Sequence, residues 1–325
     1  MSDQTIQDLR RVFAHLEPQF GVELAPFTYF KIGGPAEIMI LAKSRDVAIE
    51  VVQLCAKHHV PLTVLGGASN VVIESKGVPG VTLRMGEEFY QRLPELTSEG
   101  AVQVEVSSGY RTGPFVRKTI DDGLTGLEYF LGVPGRVGGA VFNNAHYLAD
   151  LIGEHVTQVE VVTKQGDVRW LTQVECQFAY DSSVFHRTQD VILRVRFALH
   201  PGNREASLER VKEATLYRSR TQPLGEPSSG CYFRNVPNTP ELRARFPQYA
   251  ERAEFPSAFL IDQAGLKGQQ VGQVKVSEKH AAFLINVGGG TSDDVHKLAE
   301  MIRAKVAAEF GATLVPEVFT LPTTV

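Results

Sequence analysis

Residues Leu131 to Asn144 read LGVPGRVGGAVFNN, and the use made of this stretch decides the fold. It holds Gly132, Gly135, Gly138 and Gly139, with Pro134 fixing a bend and Ala140 closing the glycine run. Glycine has no Cβ, so its backbone takes positive φ and lets a ligand come close. Successive free N–H groups in such a loop form a concavity that suits phosphate oxygens. One reading is therefore a pyrophosphate cradle for a dinucleotide. The other is a glycine-rich turn without a ligand, since glycine clusters alone are weak motifs.

Two further glycine loops interrupt strands, KIGGPAE at Lys31–Glu37 and LGGASNVVI at Leu65–Ile73. None of the three is a GxGxxG fingerprint opening a helix, which excludes an ordinary NAD-binding domain. Gly66, Gly67, Ala68, Ser69 and Asn70, with Asn143 and Asn144, would together satisfy one long polyphosphate ligand. Ser69 and Asn70 taken alone suit a plain turn equally well.

Around these loops the periodicity predicts a mixed chain. Ile6, Leu9, Phe13 and Leu16 recur at helical spacing and predict an opening amphipathic helix. A strand begins near Ala36, and Ser44 caps a helix through Val47, Val51, Leu54 and Cys55. PLTVL then gives a second strand, so residues 20 to 80 form a small α/β unit. From residue 81 to about 200 alternating valines predict an antiparallel sheet. Within it Gln165-Gly166-Asp167 marks a hairpin and Thr112 to Gly123 a helix. A polar break, HPGNREAS, precedes a helix ending near Tyr217. The last helix carries Val295, Leu298, Ile302, Val306 and Phe310, with a Thr291/Asp294 capping box and Gly311 as its stop. LVPEVFTL closes as a strand.

Composition narrows the function. The 325 residues are 43% hydrophobic and 22% charged, with a net charge of -4, so no basic footprint for nucleic acid is present. No apolar run approaches the ~20 residues that span a bilayer. The polar, acidic MSDQTIQDLRRVF is not expected to be a signal peptide, and a reducing cytoplasm is the simplest location. The three cysteines show neither metal spacing nor a disulfide framework, and no metal is expected.

Three stretches outside the glycine loops could carry chemistry. Cys231 stands in SSGCYFRN, a serine- and glycine-rich turn, whereas Cys55 and Cys176 suit small buried hydrophobes. A thiol can lend a proton near neutrality if its surroundings help. Glu317, in LVPEVF, is either a solvated acid or a site carboxylate. Lys267 in AGLKG and Lys279 in VSEKH suit a phosphate-bearing substrate or a plain surface equally.

Taken together, these stretches resemble the UDP-N-acetylenolpyruvoylglucosamine reductases (MurB) of peptidoglycan synthesis. Six blocks stand in the family's order: FTYFKIGGPAE, LGGASNVVI, GLEYFLGVPGRVGGAVFNNA, CQFAYDSSVF, YRSRTQPLGEPSSGCYFRN, and AGLKGQQVGQVKVSEKHAAFLIN with LVPEV closing. The resemblance runs from about Leu24 to Phe319. It implies an α+β, FAD-binding fold of the vanillyl-alcohol-oxidase type, in two subdomains, with a C-terminal α+β substrate domain. We place these at 1–80, 81–215 and 216–325, the last strand returning to the first subdomain in one variant of this division. The short span between Phe197 and Gln222 resembles the subtype lacking the extra tyrosine-loop insertion.

The family's chemistry is implied with it. NADPH reduces FAD, and the reduced flavin passes hydride to C3 of the enolpyruvyl ether; protonation at C2 yields UDP-N-acetylmuramate. By position, Cys231 takes the general-acid place more familiar as serine, and Glu317 that of the carboxylate assisting the intermediate. Gly66, Gly67, Ala68, Ser69, Asn70, Gly132, Pro134, Gly135, Gly138, Gly139, Ala140 and Asn144 match flavin-contacting loops. Tyr180, Arg218, Asn235, Lys267 and Lys279 match substrate positions. The partners implied are a soluble sugar nucleotide and NADPH, without nucleic acid, membrane or an obligatory protein.

Two departures stand out. Where the family has arginine after the tyrosine of CQFAY, this chain has Asp181; where it more often has a glycine, this chain has His146-Tyr147. Losing a cation at a developing oxyanion costs on the order of 3 kcal/mol. Arg218, Arg220, Arg234, Lys267 and Lys279 are candidate replacements, or Asp181 orients a cation by pairing with it. The alternatives to the reductase are a related FAD-dependent oxidase with another substrate, and a FAD-binding protein without turnover.

Overall fold

The computed structural model describes residues 9–96, 100–148 and 150–322. It divides into two compact units. The first comprises residues 1–22, 36–68 and 79–217, and the second residues 23–35, 69–78 and 218–325.

The first unit holds two sheets, each with its own core. Gln19–Glu23, Pro35–Ala42, Val78–Met85 and Leu62–Leu65 form a four-stranded sheet in that spatial order, with Leu62–Leu65 parallel to Val78–Met85. The helix Arg45–His58 leads from Pro35–Ala42 to Leu62–Leu65, which lie on either side of Val78–Met85 in the sheet. Its start is set locally: Ser44 accepts the N–H of Val47 at 3.3 Å, and Asp46 lies in the first turn. Its apolar stripe, Ala48, Val51, Val52 and Cys55, packs with Ile38, Ile40, Val81 and Leu83. Leu9 and Phe13 join this core. They lie on a helical turn at 9–12 and its continuation into the 3-10 helix Ala14–Leu16; Ile6 lies outside the described residues.

The second sheet is antiparallel, in the order Val168–Thr172, Val156–Val162, Val191–Pro201, Val102–Ser107, Tyr90–Leu96. The hairpin at Gly166 forms as expected, with Val162 opposite Val168. Alternation places Val102, Val104, Val106, Val195, Phe197 and Leu199 in one core with Phe115 and Ile120 of the helix Thr112–Asp121. Arg45 grips Glu160 with two parallel hydrogen bonds of 2.8 and 2.7 Å, joining the helix of one sheet to a strand of the other.

The second unit is built on an antiparallel sheet, Ser228–Cys231, Phe283–Asn286, Val274–Val276, Gln270–Val271. The helices Ser257–Gln263 and Ser292–Phe310 contribute Leu260, Ile261, Val295, Leu298, Ile302 and Val306 to its core. The capping box at Thr291 and Asp294 is present, and Gly311 ends the helix at φ 64°.

Two local expectations are corrected. The helix expected to end near Tyr217 runs from Arg204 to Thr221, because nothing in LYRSRT breaks it before the QPLG turn. LVPEVFTL is not one strand: Pro316 limits the first half to a single bridge with Phe233, and only Phe319–Leu321 forms a strand, parallel to Val71–Ile73.

Candidate active site

The glycine loops of the first unit meet backbone to backbone. The strand Leu62–Leu65 runs into Gly66 and Gly67, and a Cβ at Gly67 would collide with the Gly135 backbone. Gly135 itself adopts φ 110°, a conformation that side chains disfavour. After it, the short helix Val137–Phe142 begins. Gly138 lies in the first turn of this helix, its N–H donating to the Ser108 carbonyl at 2.8 Å, and a Cβ there would sit 2.7 Å from Ser108 Cβ. Gly139 is exposed, with open space where a Cβ would be, and Gly132 and Pro134 are exposed beside it.

Among the described residues, no protein acceptor engages the N–H of Gly66, Gly67, Ala68 or Gly139, and Gly66 faces Gly139 N at 4.0 Å from its Cβ position. These four donors, three on the loop at 66–68 and one in the first turn of the helix Val137–Phe142, fit the pyrophosphate of FAD. Ala68, at φ 50°, and Ala140 are buried.

Asn144 differs from its neighbours in the loop. It is fully buried, with Nδ2 donating to the Ala179 carbonyl and Oδ1 accepting from Gly153 N, both at 2.8 Å. Its amide therefore braces three segments behind the loop instead of standing at the surface.

The segment braced by Asn144 carries Tyr180 and Asp181. Ala179 and Ser182 exchange backbone hydrogen bonds of 3.0 and 3.1 Å, closing a two-residue turn with Asp181 at φ 49°. The Asp181 carboxylate is buried and accepts from His146 Nδ1 at 2.9 Å. His146 Nε2 lies 3.1 Å from the Tyr180 hydroxyl, and the two rings are 4.6 Å apart. The two departures of the sequence are thus in direct contact. His146 was not among the candidate cations; the signal for it was that both departures occur in one chain.

In the second unit Cys231 ends the strand Ser228–Cys231, opposite Phe283 across a bulge. Tyr232 N–H donates to the Ala282 carbonyl at 2.7 Å, and the Tyr232 carbonyl accepts Glu317 N–H at 2.8 Å. Arg234 N–H donates to the Val315 carbonyl at 3.0 Å. These bonds bring Glu317 beside the residue that follows Cys231, across 85 positions of sequence. Asn70 belongs to the same cluster: its carbonyl accepts Phe319 N–H at 3.2 Å and its amide reaches the Glu317 carbonyl at 3.5 Å. Cys231 is half-buried, whereas burial pushes the Cys55 and Cys176 thiols up to about 12.

Two buried polar atoms flank Cys231 in sequence without a hydrogen-bond partner among the described residues, Ser229 Oγ and Arg234 Nε. Native structures rarely leave such atoms unpaired, so they point to a ligand or water. The exposed Asn235 accepts Ser257 N–H at 3.3 Å through Oδ1. Lys267 is paired with Asp262 at 2.8 Å. Lys279 Nζ donates to the Ser219 carbonyl, which ties it to the helix turn bearing Arg218 and Arg220. Burial, assisted by the Lys267 charge, holds the His280 imidazole below its usual range.

A mixed α+β unit whose glycine loops offer free N–H groups to a pyrophosphate defines a FAD-dependent oxidoreductase. Residues 36–172 match the FAD binding domain family, and residues 222–321 match the family described as UDP-N-acetylenolpyruvoylglucosamine reductase, C-terminal domain. The UDP-N-acetylenolpyruvoylglucosamine reductase of Lachnoclostridium phytofermentans is 32% identical over 318 residues, covering 98% of this chain and 97% of that protein. That of Gloeobacter violaceus is 34% identical over 301 residues, covering 92% and 95%. The crystal structure of the Thermus caldophilus reductase (MurB) superposes with a TM-score of 0.74 at 29% identity, covering 94% of this chain and 98% of that one. The chain belongs to the UDP-N-acetylenolpyruvoylglucosamine reductase family.

Proposed function

We propose that this protein reduces UDP-N-acetylglucosamine enolpyruvate to UDP-N-acetylmuramate at the expense of NADPH, as a soluble cytoplasmic step of peptidoglycan precursor synthesis needing no protein partner. The observation that carries the site assignment is the apposition of Cys231 and Glu317 through Tyr232.

When bound, FAD supplies the hydride that it takes from NADPH. The chain's own groups do the rest. The free N–H groups of Gly66, Gly67, Ala68 and Gly139 hold the pyrophosphate, with Gly132, Pro134, Gly135 and Gly138 shaping the loop. Ser69 and Asn70 continue it. Hydride addition at C3 leaves negative charge at C2, shared with the carboxylate. The Cys231 thiol gives its proton to C2 and regains one from solvent, and Glu317 assists that transfer. A thiol is a far stronger acid than the alcohol it replaces, so the exchange suits general-acid catalysis. Asn235, Arg218, Lys267 and Lys279 bind the sugar nucleotide; Lys267 and Lys279 are already fixed by Asp262 and Ser219. We retain the functional division at 80 and 215, with the substrate bound by 216–325.

Anaerobic stopped-flow absorbance tests this reading. The protein reduced with NADPH should regain its oxidised flavin spectrum when the enolpyruvyl substrate is added. A flavin that stays reduced with substrate but reoxidises in air would favour a related oxidase, the alternative that Asp181 motivates. A protein that takes up no FAD would sink both.

A further inference from the structure

We infer that Glu74 is a positioning residue for Glu317. Its carboxylate is gripped at the head of the helix Ser292–Phe310, and that grip holds the strand beside which the Glu317 segment is laid. The inference rests on the reductase reading, in which Glu317 assists the proton transfer.

Glu317 is held from two sides. Its N–H donates to the Tyr232 carbonyl at 2.8 Å, and its carbonyl accepts the Asn70 amide at 3.5 Å. Asn70 opens the short ladder on the second side. Its carbonyl accepts Phe319 N–H at 3.2 Å, Val71–Ile73 then pairs with Phe319–Leu321, and Glu74 N–H closes the ladder on the Leu321 carbonyl at 2.8 Å. Among the described residues this sheet has only those two strands. Two strands alone are marginally stable, and parallel pairing is slightly weaker than antiparallel. The ladder therefore needs an anchor, and displacing its 70–74 side displaces the Glu317 backbone.

Glu74 supplies the anchor. Its carbonyl accepts Gly34 N–H at 3.0 Å and Gly77 N–H at 2.9 Å. Oε1 accepts from His296 Nε2 and Oε2 from Ser292 Oγ, both at 3.0 Å. Ser292 and His296 stand four apart on one helix and so share a face. That spacing sets two donors against the two oxygens of one carboxylate. Ser75 reinforces the joint: its N–H donates to Ser292 Oγ at 3.0 Å, and its Oγ accepts Ser292 N–H at 2.9 Å. The helix is itself rooted in the core by Val295, Leu298 and Ile302. Residues 69–78 and 218–325 belong to the same compact unit, so the whole frame lies within it.

The grip depends on charge. Burial would raise the Glu74 carboxyl, but the hydrogen bonds from His296 and Ser292, with the charges of His296 and Lys76, outweigh it and hold the group below the usual carboxylate range. An ionised carboxylate only accepts, so the hydrogen of the histidine bond is on Nε2.

The test is a double-mutant cycle on FAD-loaded full-length protein, with the two half-reactions read separately by stopped flow. Glu317→Gln should slow reoxidation by the enolpyruvyl substrate. Glu74→Ala should slow the same half-reaction by up to about a hundredfold, the cost of a displacement of about 1 Å. Reduction by NADPH should be nearly unchanged. In the double variant Glu74→Ala should add little to Glu317→Gln, because it acts only through that residue. A merely structural loss would add in full and fall on both half-reactions. His296→Ala removes one of the two donors and should lose less, and His296→Gln, whose amide N–H takes the place of Nε2–H, should recover most of that loss. Should Glu74→Ala fail to fold or to load FAD, the same cycle built on His296→Ala decides. Reoxidation of Glu74→Ala at the wild-type rate, or a loss that adds to that of Glu317→Gln, would overturn the inference and leave the role of Glu317 intact. Glu317→Gln that reoxidises at the wild-type rate overturns that role and the inference with it. Wild type that substrate does not reoxidise overturns the reductase reading itself.

Discussion

The N–H of Glu317 donates to the carbonyl of Tyr232 at 2.8 Å, so the backbone of Glu317 is held against the residue that follows Cys231. Backbone bonds hold both residues whatever their side chains are. Substitution at either should therefore change chemistry with little effect on folding.

Cys231→Ala should leave flavin reduction by NADPH within a few-fold of wild type. It should slow reoxidation by the enolpyruvyl substrate by about 10²- to 10⁴-fold, the range a general acid supplies. Cys231→Ser should recover much of the loss. Stopped-flow measurement of the two half-reactions checks this; equal loss in both would refute the acid role.

The same thiol should stand apart in reactivity. Cys55 and Cys176 are buried with thiols held at about 12, so their thiolate fraction at neutral pH is negligible. Brief iodoacetamide treatment followed by peptide mass spectrometry should find Cys231 modified first, and substrate should protect it. Modification of Cys176 ahead of Cys231 would contradict the placement.

The glycine loops predict two opposite outcomes. Gly67→Ala has no room beside Gly135 and should open the loop and lose FAD. Gly139→Ala meets open space within a helix and should fold, gaining about 0.5–1 kcal/mol from helix propensity. Flavin content and thermal melting of the two variants separate cradle geometry from fold stability.

Glu128 supports the first unit in a pH-dependent way. Burial alone would raise its carboxyl, but hydrogen bonds from Ser207, Thr125 and Gly126 N–H outweigh that and hold it at about 2. Arg210 adds an ion pair at 2.6 Å. A carboxyl lowered from 4.5 on folding stabilises above the unfolded value and loses that contribution as pH falls from 4.5 towards 2. The contribution is about 3 kcal/mol at neutral pH. Glu128→Gln should be less stable at pH 7 and show a flatter acid limb of Tm against pH.

The helix Ser292–Phe310 offers a local test. Thr291→Ala removes the side chain that caps Asp294 N–H at 3.1 Å and should cost about 1 kcal/mol of stability in urea titration, with flavin chemistry unchanged.

The sequence by itself determined what depends on near neighbours. Ser44, the Gly166 hairpin, Thr291 with Asp294, and the alternating valines of the second sheet are local signals, and each element formed where they placed it. The glycine loops and the family blocks were legible for the same reason, since residue type and spacing carry them. Tertiary structure alone decided the rest. Pairing of Phe319–Leu321 with Val71–Ile73 draws the 69–78 segment into the C-terminal unit, a choice made by a ladder 248 residues apart in sequence. Asn144, legible only as a loop polar residue, became a buried brace because Ala179 and Gly153 reach it from elsewhere. His146 and Asp181, 35 residues apart, became one hydrogen-bonded pair because a closed turn and a strand end converge. Local chemistry specifies which groups a chain offers, but the partner that fixes the tautomer, charge and direction of each is chosen by contacts that sequence spacing does not encode.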